Sequence, residues 1–153
     1  MKALRLLTQT SDHAAPLLAR LTLGLVMFPH GAQKALGWFG GYGYSGTMGF
    51  FTGTMHIPAL FAFLAIAAEF AGSIALVLGL GGRVAALGIA AVMVVAMQSV
   101  HLGNGFFMNW AGNQKGEGYE YHLLALGLAL IVMVYGSGKC SLDALLARRE
   151  SKS

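Results

Sequence analysis

The chain has 153 residues, room for one domain and not for two. Hydrophobic residues make up 56% of it and charged residues 10%; a water-facing surface needs about 25% charged side chains, so lipid is the better solvent. The net charge of +4 comes without a basic run interleaved with aromatics, which excludes a nucleic-acid partner, and the lone Cys140 excludes an internal disulfide, a Cys-x-x-Cys redox pair and a thiolate-rich metal site.

The first element is an apolar stretch from about Pro16 to Leu36, interrupted by Arg20, His30, Gln33 and Lys34. Pro16 suits a first helical turn, and Pro29 is expected to kink the helix near its end. The apolar run Leu21 to Phe28 comes late and no small-x-small cleavage site follows it, so this segment reads as a retained anchor rather than a signal peptide. Next comes Gly37 to Ile57, seven glycines interleaved with Trp38, Phe39, Tyr42, Tyr44, Phe50 and Phe51. It is too glycine-rich for a spanning helix and too apolar for a free linker, and is expected to lie at the membrane interface as an aromatic lid.

Three further apolar stretches follow. One covers 58–80, polar only at Glu69. The tight basic turn Gly81-Gly82-Arg83 leads into the next, 84–102, which turns polar at Gln98, Ser99 and His101. The last covers 119–135, with Glu120 and His122 in its first turn. Each stretch approaches the roughly 20 helical residues needed to cross a bilayer core. Small residues four apart, Ala68 and Gly72, Ala71 and Ala75, Ala86 and Ala90, Ala125 and Ala129, allow close helix approach. The expected fold is therefore all-α: a single membrane domain, 1–153, built as a four-helix bundle. Lys2, Arg5, Arg83, Lys139, Arg148, Arg149 and Lys152 collect on one side, against Lys34 and Lys115 on the other. The positive-inside rule then puts both termini in the cytoplasm and the aromatic lid outside.

Ionisable groups within the spans are costly and mark candidate sites. At about 1.5 Å rise per residue, Glu69 and His30 lie roughly 21 Å above the inner boundary, Gln98 roughly 22 Å, Glu120 roughly 24 Å, and Lys34 and His101 roughly 27 Å. All four helices thus bring polar groups to one layer in the outer half of the bilayer. Two histidines and two carboxylates in that layer could ligate a metal, though no tight ligand motif stands behind them. The same groups could relay protons, or hydrogen-bond the carbonyls of a ring-shaped lipophilic molecule. Equally, they could form a structural network, with Lys34 paired to Glu69 or Glu120. Arg20 fits a structural role, snorkelling to headgroups or capping a neighbouring helix.

The pattern ARLTLGLVMFPHGAQKALGWFGGYG, with an Arg, a Gly one turn later and a His-Gly-x-x-Lys close, resembles the start of DoxX family membrane proteins. AAEFAGSIALVLGLGGRVAALG is similar to the family's second helix, GFFMNW with GEGYEYHLLAL to its third connector and fourth helix, and YGSGKCSLDALL to its tail. The resemblance implies a four-helix inner-membrane fold and a quinone-linked role in a membrane redox system, with quinone as the implied ligand. Arg20, His30, Lys34, Glu69, Arg83, His101, Glu117 and Glu120 match the family's polar pattern. Arg20, Arg83 and Glu117 are read as structural, and no metal site is assigned. Three readings stay open: a quinone-linked component with a second redox protein as partner, a non-enzymatic scaffold or homo-oligomer in the lipid bilayer, and a carrier for a small molecule or ion.

Overall fold

The computed structural model describes residues 8–150; Lys2, Arg5 and Lys152 of the charge asymmetry lie outside the described residues. The described chain is helical, with no strand. Helix α1 (Ala14–Leu36) runs through Pro29 without a break and stops at Gly37, whose φ of 75° is the left-handed conformation that glycine adopts without strain. The glycine-rich segment that follows is more ordered than its composition suggests. A 3₁₀ turn at Trp38–Gly40 leads to α2 (Gly43–Gly49), which passes directly into a π turn at Phe50–Thr54. Close packing explains this order: a Cβ on Gly41 would collide with the Gln33 backbone, so only glycine lets the segment fold back onto the end of α1.

Helix α3 (Ala59–Leu78) begins after Pro58 and ends at Gly79, φ 67°. There Leu80 N–H donates to Ala75 O (2.9 Å) and Gly79 N–H to Leu76 O (3.1 Å), satisfying carbonyls the helix leaves open. Helix α4 (Gly82–Ala96) continues as a π turn at Met97–His101 and a 3₁₀ turn at Leu102–Asn104. Helix α5 (Glu120–Tyr135) and the short α6 (Leu142–Glu150) complete the chain.

The four long helices form a closed ring, each packed on two others in the order α1, α3, α4, α5 and back to α1. Ala19, Leu23, Met27, Leu76, Ile89, Met93, Ala129 and Val132 fill its centre. The outer faces carry exposed Leu18, Leu25, Leu60, Phe61, Leu87, Val95, Leu124 and Leu130. Water does not tolerate apolar surface on that scale; lipid does. The Ala59–Leu78 and Gly82–Asn104 runs have the length and hydropathy of membrane spans, while Glu120–Tyr135 is apolar but shorter.

One end of the ring is closed by a polar hub around the α3–α4 turn. Arg20, 1% exposed, donates to Leu76 O, Val77 O, Ser137 O, Lys139 O and Cys140 O, so it caps the C-terminus of α3 and holds the segment after α5. Asp143, equally buried, accepts from Gly81 N–H (2.8 Å), Gly82 N–H (3.1 Å) and Ser137 Oγ–H (2.6 Å). Its carboxylate sits at the N-terminus of α4, where open N–H groups and the helix dipole favour negative charge. Arg83 donates to Met133 O and Gln9 O and ties α4 to α5 and to the segment before α1.

The tightest helix approach differs from the one that small-residue spacing suggests. A Cβ on Gly31 would stand 2.6 Å from the α3 backbone at Glu69 and Phe70, and one on Gly24 2.9 Å from Ser73 O. A Cβ on Gly72 would meet its first neighbours only at 3.7 Å, an ordinary contact. Gly31→Ala is therefore expected to lose about 1–3 kcal/mol to overpacking, and Gly72→Ala to be nearly neutral. Unfolding midpoints in detergent compare the two, and equal midpoints would contradict the packing described.

Candidate functional site

Ala68, Ala71, Gly72 and Ala75 on α3 and Ala85, Gly88 and Ala91 on α4 line a cleft of about 1000 Å³ between these helices. It runs from the α3–α4 turn at Leu80 and Gly81 to the opposite, loop end of the ring. Its polar lining gathers at that end: His30 and Lys34 from α1, Glu69 from α3, Ser99 and His101 from α4, Glu117 from the following loop, and Tyr121 and His122 from α5.

Two π turns frame this end. Phe50 and Phe51 of the first, with Met55 and Ile57 after it, wall the cleft from the aromatic segment, and Ser99, Val100 and His101 of the second wall it from α4. An extra residue in the turn swings the side chains that follow it off the regular helical stripe. Here it brings His101 over α5.

Glu69 is 3% exposed and bonded to Lys34, with Nζ 2.5 Å from Oε2. That is one of the two Lys34 pairings that the shared depth leaves open, and it neutralises both charges inside the site. His30 and Tyr121 stand with ring centroids 6.2 Å apart, and Tyr121 donates to Met27 Sδ at 3.3 Å, a weak acceptor. The His101 and His122 rings lie 4.2 Å apart. His101 Nδ1 is 2.9 Å from Glu117 O. A carbonyl only accepts, so Nδ1 carries the hydrogen and Nε2 is left as an acceptor. His122 is 5% exposed, and its buried Nδ1 has no hydrogen-bond partner among the described residues. Buried polar atoms are nearly always partnered, so this atom requires an explanation.

Of the residues singled out from depth, Glu69, His30, Lys34 and His101 come together in the cleft. Glu120 and Gln98 stand apart from it. The Glu120 carboxylate accepts Met108 N–H at 2.8 Å and so pins the third connector, while Gln98 is exposed outside the lining. Glu117 has its carboxylate on Asn109 N–H (2.7 Å) and its carbonyl on His101, a positioning arrangement for the loop. Arg20 and Arg83 belong to the hub. Tyr121 and His122 were not anticipated, although the same count along α5 puts His122 at roughly 21 Å, level with Glu69. Among the described residues, no three His, Cys, Asp or Glu are grouped to hold a metal ion.

A family model, DoxX, matches residues 15–102, more than half of the chain. The chain belongs to the DoxX family. Neither a curated protein nor a solved structure matches it. The matched region takes in α1, α3, α4 and both π turns, and so every cleft residue except those of the third connector and α5. Membership in DoxX and the exposed apolar helix faces make this a membrane protein in contact with lipid.

Proposed function

We propose that this DoxX protein holds a neutral, lipophilic ring compound with carbonyl groups, of the quinone class, at the loop end of its cleft. In this reading it serves as the quinone-linked component of a membrane redox system. The observation that carries the proposal is the segregation of the lining: every polar side chain of a large, lipid-accessible cleft stands at one end, and the charged pair there is internally neutralised. The Lys34 ammonium, the Tyr121 hydroxyl and the two imidazoles offer donors and acceptors to carbonyl and hydroxyl oxygens without an uncompensated charge. With a lone cysteine and no recognisable haem or flavin motif, the chain's part is to bind and orient the ring, and a partner redox protein supplies the electrons. The four long helices cross the cytoplasmic membrane as one domain, with the hub end inside. Arg83, Lys139, Arg148 and Arg149 lie towards that end, and Lys34 and Lys115 towards the other, as the positive-inside rule requires.

The test uses the full chain in phospholipid nanodiscs, titrated with a tail-less dimethoxy-methyl-benzoquinone and followed by quenching of protein fluorescence. Binding is expected to saturate. Tyr121→Phe removes one hydrogen-bonding group of the lining and should weaken binding about tenfold, the equivalent of about 1.4 kcal/mol. Gln98→Ala should leave it unchanged. Quenching that rises linearly with quinone and never saturates sinks the proposal and leaves the scaffold and carrier readings.

A further inference from the structure

We infer that the ligand of the cleft is a neutral-headed amphiphile with one long aliphatic or isoprenoid chain, which lies between α3 and α4. This rests on the cleft reading above and names the substrate class.

Below Glu69 and Ser99 the lining is apolar down to Gly81. On α3 that stem falls from Glu69 to Leu80, roughly 16 Å, and on α4 from His101 to Val84, roughly 25 Å. A single ring fills only the polar end of such a space. The stem is lined chiefly by small side chains, and α3 and α4 meet beneath it: an added Cβ on Gly88 would stand 3.2 Å from Ala68, and one on Gly72 3.7 Å from Ala85 O. The small side chains leave the trough open above that contact. Ala71 and Ala91 remain exposed within the lining, and the larger Leu64, Val84, Val92 and Val95 form its banks. A long trough with a small-residue floor and branched aliphatic banks fits an extended hydrocarbon chain.

The head end selects among membrane amphiphiles. Lys34 is the one Lys or Arg side chain in the lining, and Glu69 neutralises it. Glu117 adds negative charge. A phosphate would therefore meet no free cation, and the site disfavours phospholipid headgroups. The Tyr121 hydroxyl and the His101 imidazole at the same end instead suit an uncharged hydrogen-bonding group. Head and tail requirements together describe a tailed quinone or quinol, or another neutral single-chain lipid.

The test compares affinities in nanodiscs, each expressed per mole of lipid so that partitioning into the membrane cancels. The probes are the tail-less benzoquinone, its decyl-tailed analogue and mono-oleoylglycerol. Wild type should prefer the decyl analogue by tenfold or more. In Ala91→Phe and Ala71→Leu, which fill the stem well below the histidine pair or on the α3 wall, that preference should fall to within about twofold. Equal affinity for the two quinones in wild type overturns the inference, and so does a loss in Ala91→Phe that is the same for both. If neither quinone saturates, the ring proposal fails on its own. Saturable mono-oleoylglycerol binding lost in Ala91→Phe then supports the groove, and its absence overturns it. Native mass spectrometry closes the alternatives: a retained phospholipid that Ala91→Phe releases, or a dimer that an Ala91→Cys crosslink captures, also overturns it.

Discussion

Arg20→Met is expected to lower stability by about 3–5 kcal/mol, seen as a large fall in unfolding midpoint in detergent. Methionine fills much of the volume but donates nothing. The carbonyls of Leu76, Val77, Ser137, Lys139 and Cys140 would all lose their shared donor in one substitution. Hydrogen bonds to a charged group contribute about 1.5–3 kcal/mol each, but a set made by one side chain does not add up bond by bond, so the estimate stays near the cost of breaking one buried ionic cluster. Arg20→Lys keeps the charge but offers three donors to those five acceptors, and should recover only part of the loss. An Arg20→Met protein that unfolds with the wild-type midpoint would remove the hub as the clasp of the bundle.

The second large effect separates holding the bundle from serving the cleft. Lys34→Met leaves the Glu69 carboxylate buried without its partner, and should cost about 3–5 kcal/mol. Glu69→Gln removes the charge while keeping shape, so its cost should be smaller. In the double variant Lys34→Met/Glu69→Leu both charges leave together, and stability should return to within about 1 kcal/mol of wild type. A double-mutant cycle on unfolding free energies measures the coupling. Quinone titration of the refolded double variant then supplies the functional half. Restored stability without binding assigns the pair to the ligand, and restored stability with undiminished binding assigns it to packing alone.

Much of the bundle was legible because the bilayer imposes a length and a depth scale on the chain. Apolar stretches mark the four long helices, two of them, Ala59–Leu78 and Gly82–Asn104, with the length and hydropathy of spans, and the cost of ions in lipid picks out Glu69, Lys34, His30 and His101, which share the cleft. Depth fixes a height along the bundle but not a direction around it. Glu120 stands at the right height and turns to Met108 N–H. His122, beside it in sequence, turns inward onto His101. The cleft itself was hidden for a similar reason: Ala68, Ala71, Gly72 and Ala75 read as a close-packing face, and spacing does not reveal whether a neighbouring helix closes on it. Gly31, which does meet a backbone, forms such a pair with Ala35, but in a stretch whose Arg20, His30, Gln33 and Lys34 obscure a packing face. Asp143 sits in a polar tail with no periodicity to single it out, and its role depends on contacts more than sixty residues away. The order in the glycine-rich segment likewise comes from packing on α1 rather than from local propensity.

The long reach of the hub sets an order of events during synthesis. Arg20 emerges from the ribosome early, yet three of its acceptors, Ser137, Lys139 and Cys140, lie 117 to 120 residues later. The open N–H groups of Gly81 and Gly82 likewise wait some sixty residues for Asp143. Until those residues are made, the Arg20 cation has at most the carbonyls at the end of α3 to receive it. The nascent chain is therefore held in a provisional arrangement that only the segment made after α5 locks.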